Sequence, residues 1–249
     1  MELTDRVAFV SGGSGSLGSA LAKSLAEAGA DVCVGHLTNQ ASAQDTARAV
    51  EAFGRRAATV PVDQTDPASV ESAIEAAIRQ LGRLDILINN AAQTTIIPFA
   101  NLEALTPETW DRMLDINLRG PFLLARAAAP HLRRYGAGRM VNIASIIGLT
   151  PMGSNLAFSV AKAGLIHLTR CLAVALAPEV AVNCVAPSLM EGTHGAQIVP
   201  PAAVEAQRQR TILKRNTSVQ DVVDQIVFFC RADTVTGQVL VIDGGFHFH

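Results

Sequence analysis

The sequence predicts a doubly wound α/β protein, a parallel sheet of seven strands flanked by helices, and three observations carry that expectation. Apolar runs of strand length alternate with longer stretches of helical period. A glycine-rich turn separates the first run from the first helical stretch, and no repeat or linker interrupts the alternation, so residues 1–249 read as one domain. Parallel strands need crossover helices, and right-handed crossovers lay those helices on both faces of the sheet.

The elements follow in order. RVAFVS is the first strand and leads into a helix from Leu17 to Ala28; ADVCVG is the second, followed by Ala41 to Phe53. AATVPV precedes a helix from Pro67 to Leu81, and LDILIN precedes one long helix from Pro107 to Tyr135. GRMVNIAS leads to Asn155–Ala177, VAVNCVAP to Ser218–Arg231, and GQVLVID closes the sheet. Residues 188–216 are polar and weakly periodic, broken by Gly192, Gly195, Pro200 and Pro201. They read as a mobile flap over the strand ends, where open sheets bind ligands.

Composition narrows the function classes. Apolar residues make up 49% and charged ones 17%, which suits a compact core. A net charge of -2 with scattered Lys and Arg gives no electrostatic reason to expect nucleic acid or a membrane surface as partner. The opening MELTDRVAFV has no long apolar run, so no secretory leader is expected, and no stretch is read as a spanning helix. Cys33, Cys171, Cys184 and Cys230 fall singly, without C-x-x-C spacing, and are expected as buried reduced thiols in a cytoplasmic protein. No metal site is expected; the FHFH ending, with His247 and His249, reads as an ordinary terminus.

The turn SGGSGSLG holds small residues where a backbone must bend sharply and approach a pyrophosphate at a helix N-terminus. Gly12, Ser14, Ser16, Leu17 and Gly18 are its candidate contacts. Gly13, Gly15 and Gly18 also spell G-x-G-x-x-G. Further along, SIIGLTPMGSNLAFSVAK sets Ser145 at the end of a strand and places Phe158 and Lys162 four residues apart, on one face of the following helix.

These segments resemble the short-chain dehydrogenase/reductase family. Its pattern is T-G-x-x-x-G-x-G after the first strand, then a Ser and a Y-x-x-x-K. Ser11, Gly12 and Gly18 match the first, with Ser16 at the middle glycine; Ser145 and Lys162 match the second, with Phe158 at the tyrosine. Asn117 in DINLRGPF, Asn89 in NNAA (Ala92 for glycine) and the TGQVLVIDGG ending extend the resemblance over the whole chain.

The resemblance implies a Rossmann-like fold and a small-molecule substrate. Hydride would pass between a nicotinamide cofactor and a carbonyl, imine or activated alkene. It implies catalytic roles for Ser145, Lys162 and Asn117, with Phe158 unable to act as the acid. It places Asp63 and Gln64 at the adenine-contacting turn, Lys162 on the nicotinamide ribose, and Pro187 ahead of a carboxamide-contacting loop in which Ser188 and Gly192 depart from the pattern. His36 stands where NAD-binding members carry Asp, so NADP(H) is favoured over NAD(H), with His36, Thr38 and Asn39 as polar contacts. A solvent-facing His36 remains an equal alternative.

Gln93, Met152 and His194 are the candidate substrate contacts, with Thr94, Thr95 and an apolar wall from Ile96 to Phe99. His194 has a side chain suited to proton transfer. The resemblance also implies a tetramer or dimer built on the two long helices, with Leu118, Phe122, Leu165 and Leu172 available for either interface or core. Two alternatives stay open: a non-redox enzyme for elimination, isomerisation or cyclisation with His194 or Glu191 as base, and a catalytically silent binding or scaffold subunit.

Overall fold

The computed structural model describes residues 1–248, so His249 of the terminal FHFH lies outside it. Its centre is one parallel sheet in the order β3-β2-β1-β4-β5-β6-β7. The strands are β1 (Val7–Val10), β2 (Asp31–His36), β3 (Ala57–Pro61), β4 (Ile86–Asn89), β5 (Gly138–Ile143), β6 (Val180–Pro187) and β7 (Val239–Ile242), six of them within the runs expected from sequence and β2 running one residue further, to His36. The chain builds outward from β1 to β3 and then returns to place β4 on the other side of β1. That reversal opens a crevice at the carboxyl ends of β1 and β4, the position where such sheets take ligands.

The central strands β1, β2, β4 and β5 are buried throughout, which is why they read as continuous apolar runs. Successive residues serve opposite faces. Ala8 and Val10 pack with α1 (Ser16–Glu27), α2 (Gln40–Glu51) and α9 (Val219–Arg231). Val7 and Phe9 pack with α3 (Pro67–Leu81), α5 (Gly120–Arg133) and the end of α6 (Leu156–Leu176). Local signals set the helix ends. Asp66 accepts from the Ala68 amide ahead of Pro67 at the first turn, and Gly82 closes α3 at φ +90°.

Three sequence expectations need correction, and one apolar helix needs its placement stated. The long helix from Pro107 to Tyr135 is continuous only in path: α4 (Pro107–Leu114) and α5 flank a π-helical turn, Asp115–Arg119. Pro121 has no N–H to offer the Asn117 carbonyl and its ring crowds that oxygen, so the α pattern widens there. Residues 188–216 are not irregular; they contain α7 (His194–Gln197) and α8 (Pro201–Arg210), the latter started by Pro201 itself. Cys171 is exposed, whereas Cys33, Cys184 and Cys230 are buried as expected. Finally, α6 is long and apolar enough by composition to cross a membrane. Its buried side lies against the β6 layer and carries Lys162, which marks it as a core helix.

Candidate active site

The glycine turn is shaped by backbone requirements. Gly12 has φ +62°, and a Cβ on Gly18 would lie 2.3 Å from the Gly12 carbonyl and 2.7 Å from Gly13 Cα, so neither position takes a side chain freely. Asn90 ties the turn to β4: its Nδ2 donates to the Ser11 carbonyl at 2.8 Å and the Gly12 carbonyl at 3.0 Å. Ser11 Oγ in return accepts from the Asn90 and Ala91 amides. Gly15 caps α1 with no side-chain acceptor, leaving the first amides of the helix without a capping oxygen. Ser16 is the first residue of that helix and is exposed. A Cβ at Gly15 would approach only the Gly12 carbonyl, at 3.4 Å, so the G-x-G-x-x-G register is not one the fold demands. Ser14 offers its carbonyl to Ser42 Oγ at 2.8 Å.

His36 ends β2 and is buried, not solvent-facing, and its Nδ1 has no protein partner. Burial lowers its pKa, favouring the neutral ring. Thr38 is exposed, and the Asn39 side chain is committed to capping α2 through the Ser42 amide, which removes it from the expected contact set. Asp63 accepts from the Thr65 amide and hydroxyl, folding the turn after β3. Gln64 Nε2 donates to the Ala91 and Ile116 carbonyls, tying that turn to the loop after β4.

Ser145, Phe158 and Lys162 meet at the carboxyl end of β5. Lys162 is 4% exposed; its Nζ donates to the Ile143 carbonyl at 2.8 Å and stands 5.5 Å from the centre of the Phe158 ring. It has no carboxylate partner among the described residues, and burial pulls its pKa down to about 8. Ser145 Oγ donates to the Pro187 carbonyl at 3.2 Å. Phe158 is half-buried, and its amide donates to Asn155 Oδ1 at 2.7 Å, the cap of α6. Asn117 grips both sides of the Gln93 peptide, its Nδ2 donating to that carbonyl and its Oδ1 accepting from that amide. Tyr135, the one tyrosine, lies beneath Arg83, which precedes β4. It is therefore at the opposite end of the sheet from Ser145.

The remaining candidates divide. Gln93 turns its side-chain oxygen to Arg112 at 3.1 Å, while Met152 is half-buried in the loop before α6. That loop is stitched to the one after β4: Asn155 Nδ2 donates to the Thr95 carbonyl at 2.7 Å, and the Ile97 amide to the Ser154 carbonyl at 2.7 Å. His194 is exposed at the start of α7. Glu191 accepts from Arg208 at 2.6 Å and from Asn216 at 2.7 Å, which holds its carboxyl below the usual range and makes it a poor base. Ser188 is buried and accepts from Gln207 of α8.

Sequence reading overlooked Asn90, Asn155 and a buried polar chain under the site. In that chain Asn89 Nδ2 donates to Asn142 Oδ1 at 2.7 Å, and Asn142 Nδ2 donates to Thr169 Oγ1 at 2.9 Å. A usable signal exists: an Asn inside an otherwise apolar strand, as in ILIN and RMVNI, requires a buried partner.

A groove of about 740 Å³ lies elsewhere, between α4, the π turn and the outer side of α6, with Leu118, Phe122, His167, Leu168 and Cys171 on its walls. Leu165, by contrast, is core.

Comparisons with known proteins agree with this fold. The family model described as enoyl-(acyl carrier protein) reductase matches residues 12–247. The cis-4-hydroxycyclohexanecarboxylate dehydrogenase of Sinomonas cyclohexanicum is 36% identical over 246 residues, covering 97% of this chain and 96% of its own. A short-chain dehydrogenase from Burkholderia cenocepacia, solved in complex with NADP, superposes with a TM-score of 0.90 at 33% identity over 99% of both chains. A carveol dehydrogenase from Mycobacterium avium, solved with NAD, superposes equally well, with a TM-score of 0.90 at 28% identity over 98% of both chains. Fold, crevice and relatives together define a redox enzyme class built on the doubly wound sheet. The chain belongs to the short-chain dehydrogenase/reductase family.

Proposed function

We propose that this chain is an NADP-preferring reductase in which Phe158 replaces the family's proton-donating tyrosine. The observation that carries the reading is the uncapped N-terminus of α1 beside a turn in which Gly12 and Gly18 leave no room for side chains, near a buried His36 whose Nδ1 lacks a partner. Those groups fit a dinucleotide. The amides of Ser16, Leu17 and Gly18 would meet its phosphates, His36 the adenosine ribose, Asp63 and Gln64 the adenine side, and Asn89 and Lys162 the nicotinamide side. Pro187 would border the nicotinamide, and Ser14 would sit at the phosphates. Bound there, the nicotinamide supplies or accepts hydride.

The chain's own residues then divide the remaining work. Lys162 contributes a buried positive charge, and low surrounding dielectric strengthens its action on any negative charge that develops nearby. Ser145 orients an acceptor oxygen, and Asn117 fixes the Gln93 backbone at the edge of the site. Met152, Gln93 and His194 line the approach, and residues 188–216 close over it as a flap within one domain. General acid catalysis is typically worth ~10² to 10⁴ in rate, so its absence slows the reaction without removing proximity or electrostatics.

The outer groove on α6 and exposed Phe122 support a homo-oligomer, and four free cysteines fit a reducing, cytoplasmic setting. Non-redox catalysis is less supported, because Glu191 is committed to Arg208 and His194 faces solvent.

Calorimetric titration with NADPH and with NADH tests the reading. Micromolar binding with NADPH the tighter is expected, and binding of neither would overturn it. Because an acidic residue accepts from a ribose 2′-hydroxyl, His36→Asp should move the NADPH-to-NADH affinity ratio toward NADH by roughly tenfold.

A further inference from the structure

We infer that Asn155 is a positioning residue that gauges the substrate: it fixes the spacing between position 158 and the wall at residues 94–97, and so selects flat ligands over broad ones. This rests on the proposed reductase reading, which leaves the shape of the substrate open.

The residue type at the cap points to this role. Asn155 is fully buried at the N-cap of α6. A cap needs one acceptor, which Ser, Thr or Asp supplies as well as Asn. Among these, Asn alone adds two N–H donors within the same rigid carboxamide. Both halves are used. Oδ1 accepts from the Phe158 amide at 2.7 Å, while Nδ2 donates to Thr94 Oγ1 at 3.2 Å and to the Thr95 carbonyl at 2.7 Å. One planar group therefore joins the backbone of position 158 to the loop after β4. Parting the two would leave buried polar groups unpaired, and that cost holds the spacing.

Neighbouring ties stiffen the joint. Thr94 and Ser154 meet through their hydroxyls, and the Ile97 amide donates to the Ser154 carbonyl at 2.7 Å. Asn117 holds the Gln93 peptide from both sides. Ser159 Oγ donates to the Ile147 carbonyl at 2.6 Å, binding the first turn of α6 to the turn Ile146–Gly148 that follows Ser145. A Cβ on Gly148 would lie 2.6 Å from the Lys162 carbonyl carbon, so that turn rests directly on α6. The Ser145 turn, the start of α6 and residues 93–97 thus form one hydrogen-bonded body. Residues 188–216 are tied differently. Their hydrogen bonds run within the segment, as from Arg208 to Glu191, or to the end of β7, as from the Ser188 amide to the Ile242 carbonyl.

Ile96 is the apolar side chain this body leaves uncovered. Thr95 and Ile97 on either side of it are hydrogen-bonded through their backbones, yet Ile96 is 47% exposed. An apolar group held in place beside a crevice gains when a ligand covers it. The half-buried ring of Phe158 stands across the joint. A ring opposite a branched aliphatic side chain, at a spacing that does not widen, takes a planar ligand and rejects a cage of equal carbon count.

Two methyl ketones with the same number of carbons test this: 2-acetylnaphthalene, which is flat, and 1-acetyladamantane, which is broad. They are titrated by calorimetry into the chain loaded with oxidised NADP, where no hydride is available. Wild type should bind the flat ketone more tightly by about tenfold or more. Asn155→Ser keeps the cap and drops both Nδ2 donors, so the flat-to-broad ratio should fall by about fivefold or more while NADP affinity stays unchanged. Parallel weakening of both ketones and of NADP would mean a merely structural role and would overturn the inference. An unchanged ratio in the folded Ser variant does the same, as does equal binding of the two ketones, or binding of neither, by wild type. If Asn155→Ser does not fold, Thr94→Val, which removes one acceptor of Nδ2 and leaves the cap intact, must lower the ratio in its place; a constant ratio counts against the inference. Failure of NADP to bind would instead sink the reductase reading, and the same ratio measured on the bare chain would still decide the role of Asn155.

Discussion

The turn after β1 and the segment from Ser145 to Lys162 lie on neighbouring parts of one crevice, yet they work through different atoms. In the turn, the groups that matter are backbone amides at the start of α1 and the hydrogen atoms of Gly12 and Gly18, which leave space for close packing. Ser16 therefore departs from the family pattern at little structural consequence, since its side chain is exposed at the first helical position. In the second segment the backbone is equally intact: Asn155 caps α6, and Lys162 reaches the Ile143 carbonyl. Relative to the family pattern, Phe158 lacks one terminal oxygen, and on the proposed reading that atom is the one through which a proton would pass. A site carried by backbone tolerates side-chain drift, whereas a site carried by one functional group does not.

Substitutions can break or sharpen that contrast. The largest effect is expected from Gly18→Val: with backbone atoms 2.3 and 2.7 Å from its Cβ, the turn must open. Overpacking of this kind costs roughly 1–3 kcal/mol or more, and NADPH binding should disappear along with it. Urea denaturation and calorimetry measure the two losses. Phe158→Tyr comes next. Restoring the phenol beside Lys162 should raise reduction of an activated ketone by ~10² to 10⁴ in kcat/KM with little change in NADPH affinity. A variant that folds and binds NADPH but shows no gain would mean that position 158 does not by itself limit the chemistry.

A smaller, pH-dependent effect is expected at Lys162. Its pKa falls from 10.5 to about 8 on folding, so the unfolded chain holds the extra proton between those values. Stability of the wild type relative to Lys162→Met should therefore rise as pH climbs from about 8 toward 10.5. The gain at full development is on the order of 3 kcal/mol. Cys33 and Cys230, both pushed up to about 12 by burial, act in the opposite direction above pH 9, but they are common to both proteins and cancel in the difference; Cys184, pushed up to about 11 by burial and held down in part by the Lys162 charge, cancels only incompletely. Denaturant melts of the pair across that range decide it. The smallest effect belongs to Ser16→Gly, for which NADPH affinity should change by less than about threefold. A large gain would show that the exposed serine hinders the pyrophosphate after all.

Much of this molecule was legible because strands and turns depend on local pattern. The seven apolar runs became the seven strands, and the stretch expected as a helix from Pro67 to Leu81 became α3 with those bounds. Ser145, Phe158 and Lys162 were legible as a spacing on one strand end and one helix face. Asn117 was legible as a residue, but not its π turn, because the widening depends on how Pro121 sits against the carbonyl four residues earlier. The helices within residues 188–216 were hidden because α8 has no apolar stripe for periodicity to reveal. Cys171 was misjudged for a related reason: on an apolar helix, composition does not tell the outer face from the inner one.

The sequence by itself determined the alternation of strand and helix, the glycine turn, and the missing oxygen at position 158, since each is a property of residue identity and local spacing. Only the tertiary structure decided that His36 is buried with its Nδ1 unpartnered, that Ser145 gives its proton to Pro187, and that Lys162 stands as a buried cation with no carboxylate partner against the Phe158 ring. Burial and charge pairing are sums over neighbours distant in the chain, and those neighbours meet only when the sheet brings β2, β5 and β6 to a common edge.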